Sequence, residues 1–234
     1  MTTTYTGRMS LKADIAPAKG QQESEIPEVV PIFPMAEHVL MPGVQASYRV
    51  FEPRYRVMLE DLMQHAPDER WIAIPCLAES WRERFDGYPS FHRVATIAKI
   101  DSVELGEDHH TFVSTGVARI LLTEVGSDLS YRMAEATRFI DVTPPLEIVR
   151  EKTYELLQAT MALLGAVGSI SEEFDEILAS ARDLDEQVFA LGAILIQGPA
   201  ERQQFIEDRS ICGRIDRLSG TMADLILMLS LRAA

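Results

Sequence analysis

Four prolines, Pro31, Pro34, Pro42 and Pro53, fall between Val30 and Leu59 and limit what the chain can build there. Each fixes φ and removes a backbone donor, which rules out one continuous helix or a central strand. The stretch must consist of short extended pieces joined by rigid corners. Pro42-Gly43 reads as a turn, with the proline presetting φ and the glycine free to take a positive φ. Val44 to Phe51 follows as an extended run. Pro53 then suits a first helical position, and Tyr55, Met58, Leu59, Leu62 and Met63 recur at helical spacing. The predicted unit is strand, corner, strand, helix.

The 234 residues suit one large domain or two small ones, and 47% hydrophobic with 25% charged residues is a globular balance. A net charge of −14 repels a phosphate backbone, and no Lys/Arg cluster offsets it, so nucleic acid is excluded as a partner. Cys76 and Cys212 are far apart and form no Cys-x-x-Cys, so both read as small buried hydrophobes. Residues 1–25 lack periodicity and read as a disordered tail without a secretory core. With no long apolar run, no membrane is implied, and the expected location is cytoplasmic.

Trp71 to Leu77 reads as a strand, and Glu79 to His92 as a long connection rich in aromatics. Val94 to Leu105 and Thr111 to Leu122 make a hairpin around Gly106-Glu107-Asp108-His109. Gly116 marks a bulge or a close backbone approach in the returning strand. A further strand spans Tyr131 to Phe139. At Thr143-Pro144-Pro145 the apolar period changes from two to nearly four. A helix follows through Leu146, Val149, Leu156, Leu157, Met161 and Leu164, with Gly165 ending it. Ser169 to Glu172 offers a capping box before Phe174, Ile177 and Leu178. Helices are predicted over Asp185 to Ile196, Pro199 to Asp208 and Arg214 to Leu231, punctuated by Gly198-Pro199 and Gly213.

Pro31-x-Phe33-Pro34, Pro42-Gly43 and Phe51-Glu52-x-Arg54-Tyr55, in this order and spacing, resemble the opening of the Lon protease N-terminal (substrate-binding) domain. Val94-Ala95-x-Ile97, the Gly106 turn and Gly116-x-x-Arg119 resemble the second half of that module's β-domain, and Pro199 to Glu207 with Arg214 to Leu218 its closing helices. The family commonly has a glycine just before the Val-Ala pair, where this chain has Phe91-His92-Arg93. The resemblance implies an α+β fold: a mostly antiparallel PUA-like β-domain with one short helix over residues 26–142, then a C-terminal α-helical bundle over 143–234. It also implies a free-standing bacterial module without the ATPase and protease domains.

The four lysines, Lys12, Lys19, Lys99 and Lys152, form no Gly-Lys-Ser/Thr loop and no nucleophile context, so neither motor nor Ser-Lys dyad is read here. No catalytic residue and no cofactor is expected. His109-His110 sits where adjacent side chains point to opposite faces, which suits a solvated hairpin tip better than a metal site. His38, His65 and His92 are scattered singly, each structural or exposed. Glu52 either satisfies helix-start donors, with Arg54 or Arg119 paired to a carboxylate, or Arg54 contacts a bound chain terminus or peptide carbonyl.

Trp81, Phe85, Tyr88 and Phe91 form either a satellite core under the connection or an exposed patch that captures partners. Met35, Met41, Met58 and Met63 fill core or present a soft peptide surface. The candidate peptide-binding residues are therefore Trp81, Phe85, Tyr88, Phe91, Arg54 and Met35. By resemblance the clients are unfolded or partly unfolded polypeptides, held at exposed apolar segments without catalysis. The alternative is an adaptor that docks on a separate protease or ATPase through the helical half, and a hydrolase built from Glu and His side chains comes third.

Overall fold

The computed structural model describes residues 26–79, 81, 88–167, 181 and 183–233. The N-terminal 25 residues, the capping box at 169–172 and Phe85 lie outside the described residues. Among the described residues, six strands and five α-helices appear in order: β1 (Val29–Pro31), β2 (Gln45–Val50), α1 (Pro53–Leu62), β3 (Trp71–Ile74), β4 (Val94–Leu105), β5 (His110–Val125), β6 (Met133–Arg138), α2 (Leu146–Val167), α3 (Leu184–Leu195), α4 (Pro199–Glu207) and α5 (Ile211–Ala233).

The strands form one antiparallel sheet in the order β1-β6-β5-β4-β3, with β2 pairing the first part of β5. The segment after β1 then runs parallel to β3 through the Ile32–Ala73 and Met35–Cys76 bridges. The sheet thereby curls until its two ends meet. Residues 75–77, which the sequence assigns to the β3 strand, serve this closure instead: the Met35 amide donates to the Pro75 carbonyl, and the Leu77 amide to the Met35 carbonyl, both at 2.9 Å.

β4 is buried on both faces over residues 94–98, which is why it reads as a continuous apolar run and not an alternation. Ala95 and Ile97 face one core with Val30, Ile32, Trp71, Ile120 and Leu122. Ala98 and Ile100 face a second core built on Phe33, Tyr48, Tyr55 and Phe112. On β5 the register slips opposite Ile97 and Ala98, leaving Val117 as the extra residue, so even-numbered positions change core. Gly116 stands beside that bulge, where a Cβ would run into the Met41 carbonyl. Gly43, at φ 78°, donates to the Gly116 carbonyl at 2.8 Å, and Gly116 returns its N–H to Val44 at 2.9 Å. The two glycine motifs are thus one contact.

Phe33 meets Tyr48, Tyr55 and Phe112 edge-on at 5.1–5.8 Å between ring centres. α1 lays Tyr55, Met58, Leu59 and Leu62 onto this cluster, with Pro53 at its start. Met41 and Met58 are core residues, while Met35 is half-buried against the same cluster. Glu52 makes no side-chain cap to α1, contrary to one of the two readings of that residue. Its carboxylate instead accepts from Arg54.

α2 and α5 pack along each other and run parallel, as the Lys152–Asp216 and Thr160–Met222 contacts show. Two glycine assignments need correction. α2 continues past Gly165 to Val167, and Gly213 lies inside α5, where its N–H donates to the capping Ser210 hydroxyl at 3.1 Å. The helices share their core with Val39, Met41, Cys76 and Val94 of the strand region. Cys76 is buried as predicted, but Cys212 is only half-buried.

Two buried arginines latch strands to helices. Arg119 on β5 donates to the carbonyls of Ile206 at 3.0 Å and Asp208 at 2.9 Å, and to Asp141. Arg214 on α5, wholly buried, reaches the Asp208 carbonyl at 2.7 Å, Asp141 at 2.5 Å and Asp185 at 2.6 Å. Both guanidinium groups lie over the Phe189 ring, at 5.2 and 4.8 Å. Burial works against the Asp141 carboxylate, yet hydrogen bonds from Arg214 and Arg119 hold its pKa below the ordinary value.

Candidate functional site

Two arginines and the return of the long connection build one ledge on the strand region. Arg54, in the first turn of α1, is tied back to Glu52 through its Nε at 2.9 Å and a terminal nitrogen at 2.7 Å. That tie holds its guanidinium 4.7 Å from the Tyr55 ring centre and 5.8 Å from that of Tyr88. Arg132, just before β6, approaches the other side: its guanidinium lies 5.7 Å from Tyr88 and 4.6 Å from Phe91. Tyr88 is 67% exposed between the two cations.

Arg132 is itself fixed. It grips Glu124 with two bonds of 2.7 Å and donates to the Pro89 carbonyl at 2.8 Å, so it pins the chain next to Tyr88. The backbone adds a second restraint, since Leu77 bridges to Phe91, the Ala78 amide donates to the Ser90 carbonyl, and the His92 amide to the Cys76 carbonyl. Trp81 occupies a turn next to this ladder, with its amide donating to the Ala78 carbonyl at 2.9 Å, and is half-buried.

Of the six sequence candidates, Arg54, Tyr88 and Phe91 converge, Met35 joins through the Leu77 ladder, and Trp81 lies alongside. Phe85 is outside the described residues. The aromatics divide between the two readings made of them, since Phe91 packs against the strand core while Tyr88 faces solvent. Sequence reasoning missed Arg132, because nothing local to it signals contact with residues more than forty positions away. A cation in a β-strand entry opposite an aromatic loop is the only signal, and it exists only once the fold is known.

The ledge presents a ring face flanked by two guanidinium groups, each paired with a carboxylate, Glu52 on one side and Glu124 on the other. Such a surface stacks on apolar or aromatic side chains and donates hydrogen bonds to peptide carbonyls or a terminal carboxylate. A shallow hollow of about 350 Å³ lies elsewhere, at the β4–β5 tip, lined by Glu104, Glu107, Asp108 and His109 among others. His109 rests near the Phe51 ring at 5.3 Å, but its neighbour is not at a solvated tip as the sequence indicated. His110 is 2% exposed and bonds Glu60 at 2.8 Å. His109, just before β5, stays half-exposed, while His110 at the first position of the strand is buried. Among the described residues, no three His, Cys, Asp or Glu side chains gather as a metal site, and no helix is long and apolar enough to cross a membrane.

His38 is the most strongly perturbed imidazole. It is buried, its Nε2 lies 3.0 Å from the Tyr48 hydroxyl, and burial with the nearby Arg202 charge lowers its pKa from 6.5 to about 4. It is a neutral structural group and stands apart from the ledge. His92, 3.3 Å from Glu207, joins a strand to α4.

Comparison with known proteins bears on the fold. A Lon protease of Anaeromyxobacter dehalogenans is 25% identical over 181 residues, and Lon protease 2 of Myxococcus xanthus 23% over 175. These alignments cover 75% and 74% of this chain, which spans only 20% of either relative. Among solved structures, the N-terminal domain of Mycobacterium avium complex Lon protease superposes with a TM-score of 0.64 at 18% identity, covering 84% of this chain and 98% of that one. A Lon N-terminal domain protein from Xanthomonas campestris gives 0.55 at 17%, covering 81% and 96%. Residues 29–224 match the model of the ATP-dependent protease La (LON) substrate-binding domain, and the chain belongs to that family.

Proposed function

We propose that this chain is a non-catalytic polypeptide-binding module that holds exposed apolar segments of unfolded or partly unfolded clients on the Tyr88 ledge. The observation that carries this is the 67% exposure of Tyr88 between two guanidinium groups that are both fixed by carboxylates. Cations fixed in this way lose little freedom when a partner covers the ring between them. Arg54 supplies a donor to the client backbone, Phe91 and Met35 floor the ledge, and Trp81 extends it. On this reading the curled sheet is a PUA-like β-domain over residues 26–142, and the helices over 143–234 are the α-helical bundle that follows it.

The test is fluorescence anisotropy of a labelled, permanently unfolded polypeptide titrated with the full chain. Binding through apolar segments should weaken about tenfold in Tyr88→Ala, a loss of about 1.4 kcal/mol. Binding no tighter than to an acidic control protein of equal size overturns the proposal. The second reading, an adaptor that docks on a separate protease or ATPase, draws on the net charge of −14, which would steer the chain to a basic partner. That docking would weaken steeply with salt, whereas capture on the ledge would not.

A further inference from the structure

We propose that two copies of this chain pair through the outward face of α2, crossing antiparallel about a two-fold axis between Leu157 and Met161. α2 carries two apolar seams. Leu156, Thr160 and Leu163 are buried within the chain. The other seam is Tyr154, Leu157, Met161 and Leu164, spaced three, four and three residues apart, as helix-pairing seams are. Its first three members are 64%, 53% and 59% exposed. An exposed seam of this length is unusual for a surface that meets only water.

Charge selects the occupant. Every residue from Leu156 to Val167 is uncharged, including the exposed flanking positions Gln158, Ala162 and Gly165; charge returns only beside Tyr154, at Glu151, Lys152 and Glu155, and an antiparallel copy sets that end against the uncharged Leu164 end. A net charge of −14 sets two copies of the chain against each other as a whole, and an uncharged seam is where that repulsion is least. The seam is also symmetric about its midpoint, so an antiparallel copy sets Leu157 against Met161 and Tyr154 against Leu164. Gly165 fits the same arrangement. A glycine inside a helix is unfavourable, and nothing among the described residues lies within 4 Å of a Cβ placed there, so packing against them does not require it. Beside Leu164 it leaves room for the partner's tyrosine ring.

Sedimentation velocity and light scattering on the full chain across a concentration series test this. The parent should show a dimer mass, while Leu157→Glu and Met161→Lys, each at a solvent-facing position, should be folded monomers by circular dichroism, at least tenfold weaker in association. Mixing the two variants should restore a dimer, since the acid of one copy faces the lysine of the other. A parent that stays monomeric at its highest soluble concentration, or a dimer that survives both substitutions, overturns the proposal. Failure of the mixture to associate when the parent does overturns the antiparallel pairing.

Discussion

The latch around Arg214 and the ledge around Tyr88 use the same parts, and they end as opposite kinds of surface. Each has two arginines, an aromatic ring between or beneath them, and carboxylates that hold the guanidinium groups. At the latch Phe189 is 1% exposed and both cations are buried, and most of their donors, though not Arg214 Nε, are taken up by carbonyls and aspartates of the chain itself. At the ledge Arg132 is as buried as Arg119, but Arg54 is only half-buried and the Tyr88 ring stays in solvent. Burial, and not residue type, decides which becomes a joint and which a binding face: a buried charge must find all its partners within the chain, whereas an exposed one can exchange water for a client.

The comparison breaks most visibly at Arg214. Arg214→Leu leaves Asp141 and Asp185 facing each other with one cation removed, and urea unfolding should show a loss of about 3–5 kcal/mol. A smaller loss would mean the latch is less enclosed than its geometry indicates.

Acid tests the buried polar groups against one another. The folded pKa of His38 is depressed, so the unfolded chain binds the proton first; stability is complete above pH 6.5 and is lost as pH falls toward about 4, by about 3 kcal/mol in all. His38→Gln should flatten that part of the pH–stability profile. Asp141 has a depressed carboxyl pKa, so its contribution persists to lower pH and goes only when that value is crossed. Asp185, which burial pushes up, works the other way and blunts the latch's loss in acid.

At the ledge the effects shrink. Arg132→Ala frees the Pro89 carbonyl and Glu124, and thermal or urea unfolding should register about 1–3 kcal/mol. Client affinity should fall with it, because Tyr88 loses its fixed neighbour. Tyr88→Ala should change stability by less than about 0.5 kcal/mol while weakening binding, the separation that distinguishes a binding face from a joint.

Most elements were legible from local chemistry. The prolines at 31, 34, 42 and 53 placed two strands and the start of α1, and Val94–Leu105 is the strand the sequence predicts. Gly116 announced both the bulge and the close approach. Gly165 and Gly213 misled, because a glycine can sit inside a helix whose packing stabilises it, and local propensity does not register that packing. His110 misled for a related reason: its burial depends on Glu60, fifty residues earlier.

The candidate site was half visible. Arg54 and the aromatics stood out by motif and composition, but Arg132 did not, nor did the division of labour between Phe91 and Tyr88. Short-range rules, fixed φ at proline, alternation along strands and apolar spacing along helices, determined the elements, since each depends on neighbours within a few residues. Which arginine became buried joint and which became exposed donor was decided only when the sheet curled and the helices packed on it, because burial is set by residues far apart in the chain.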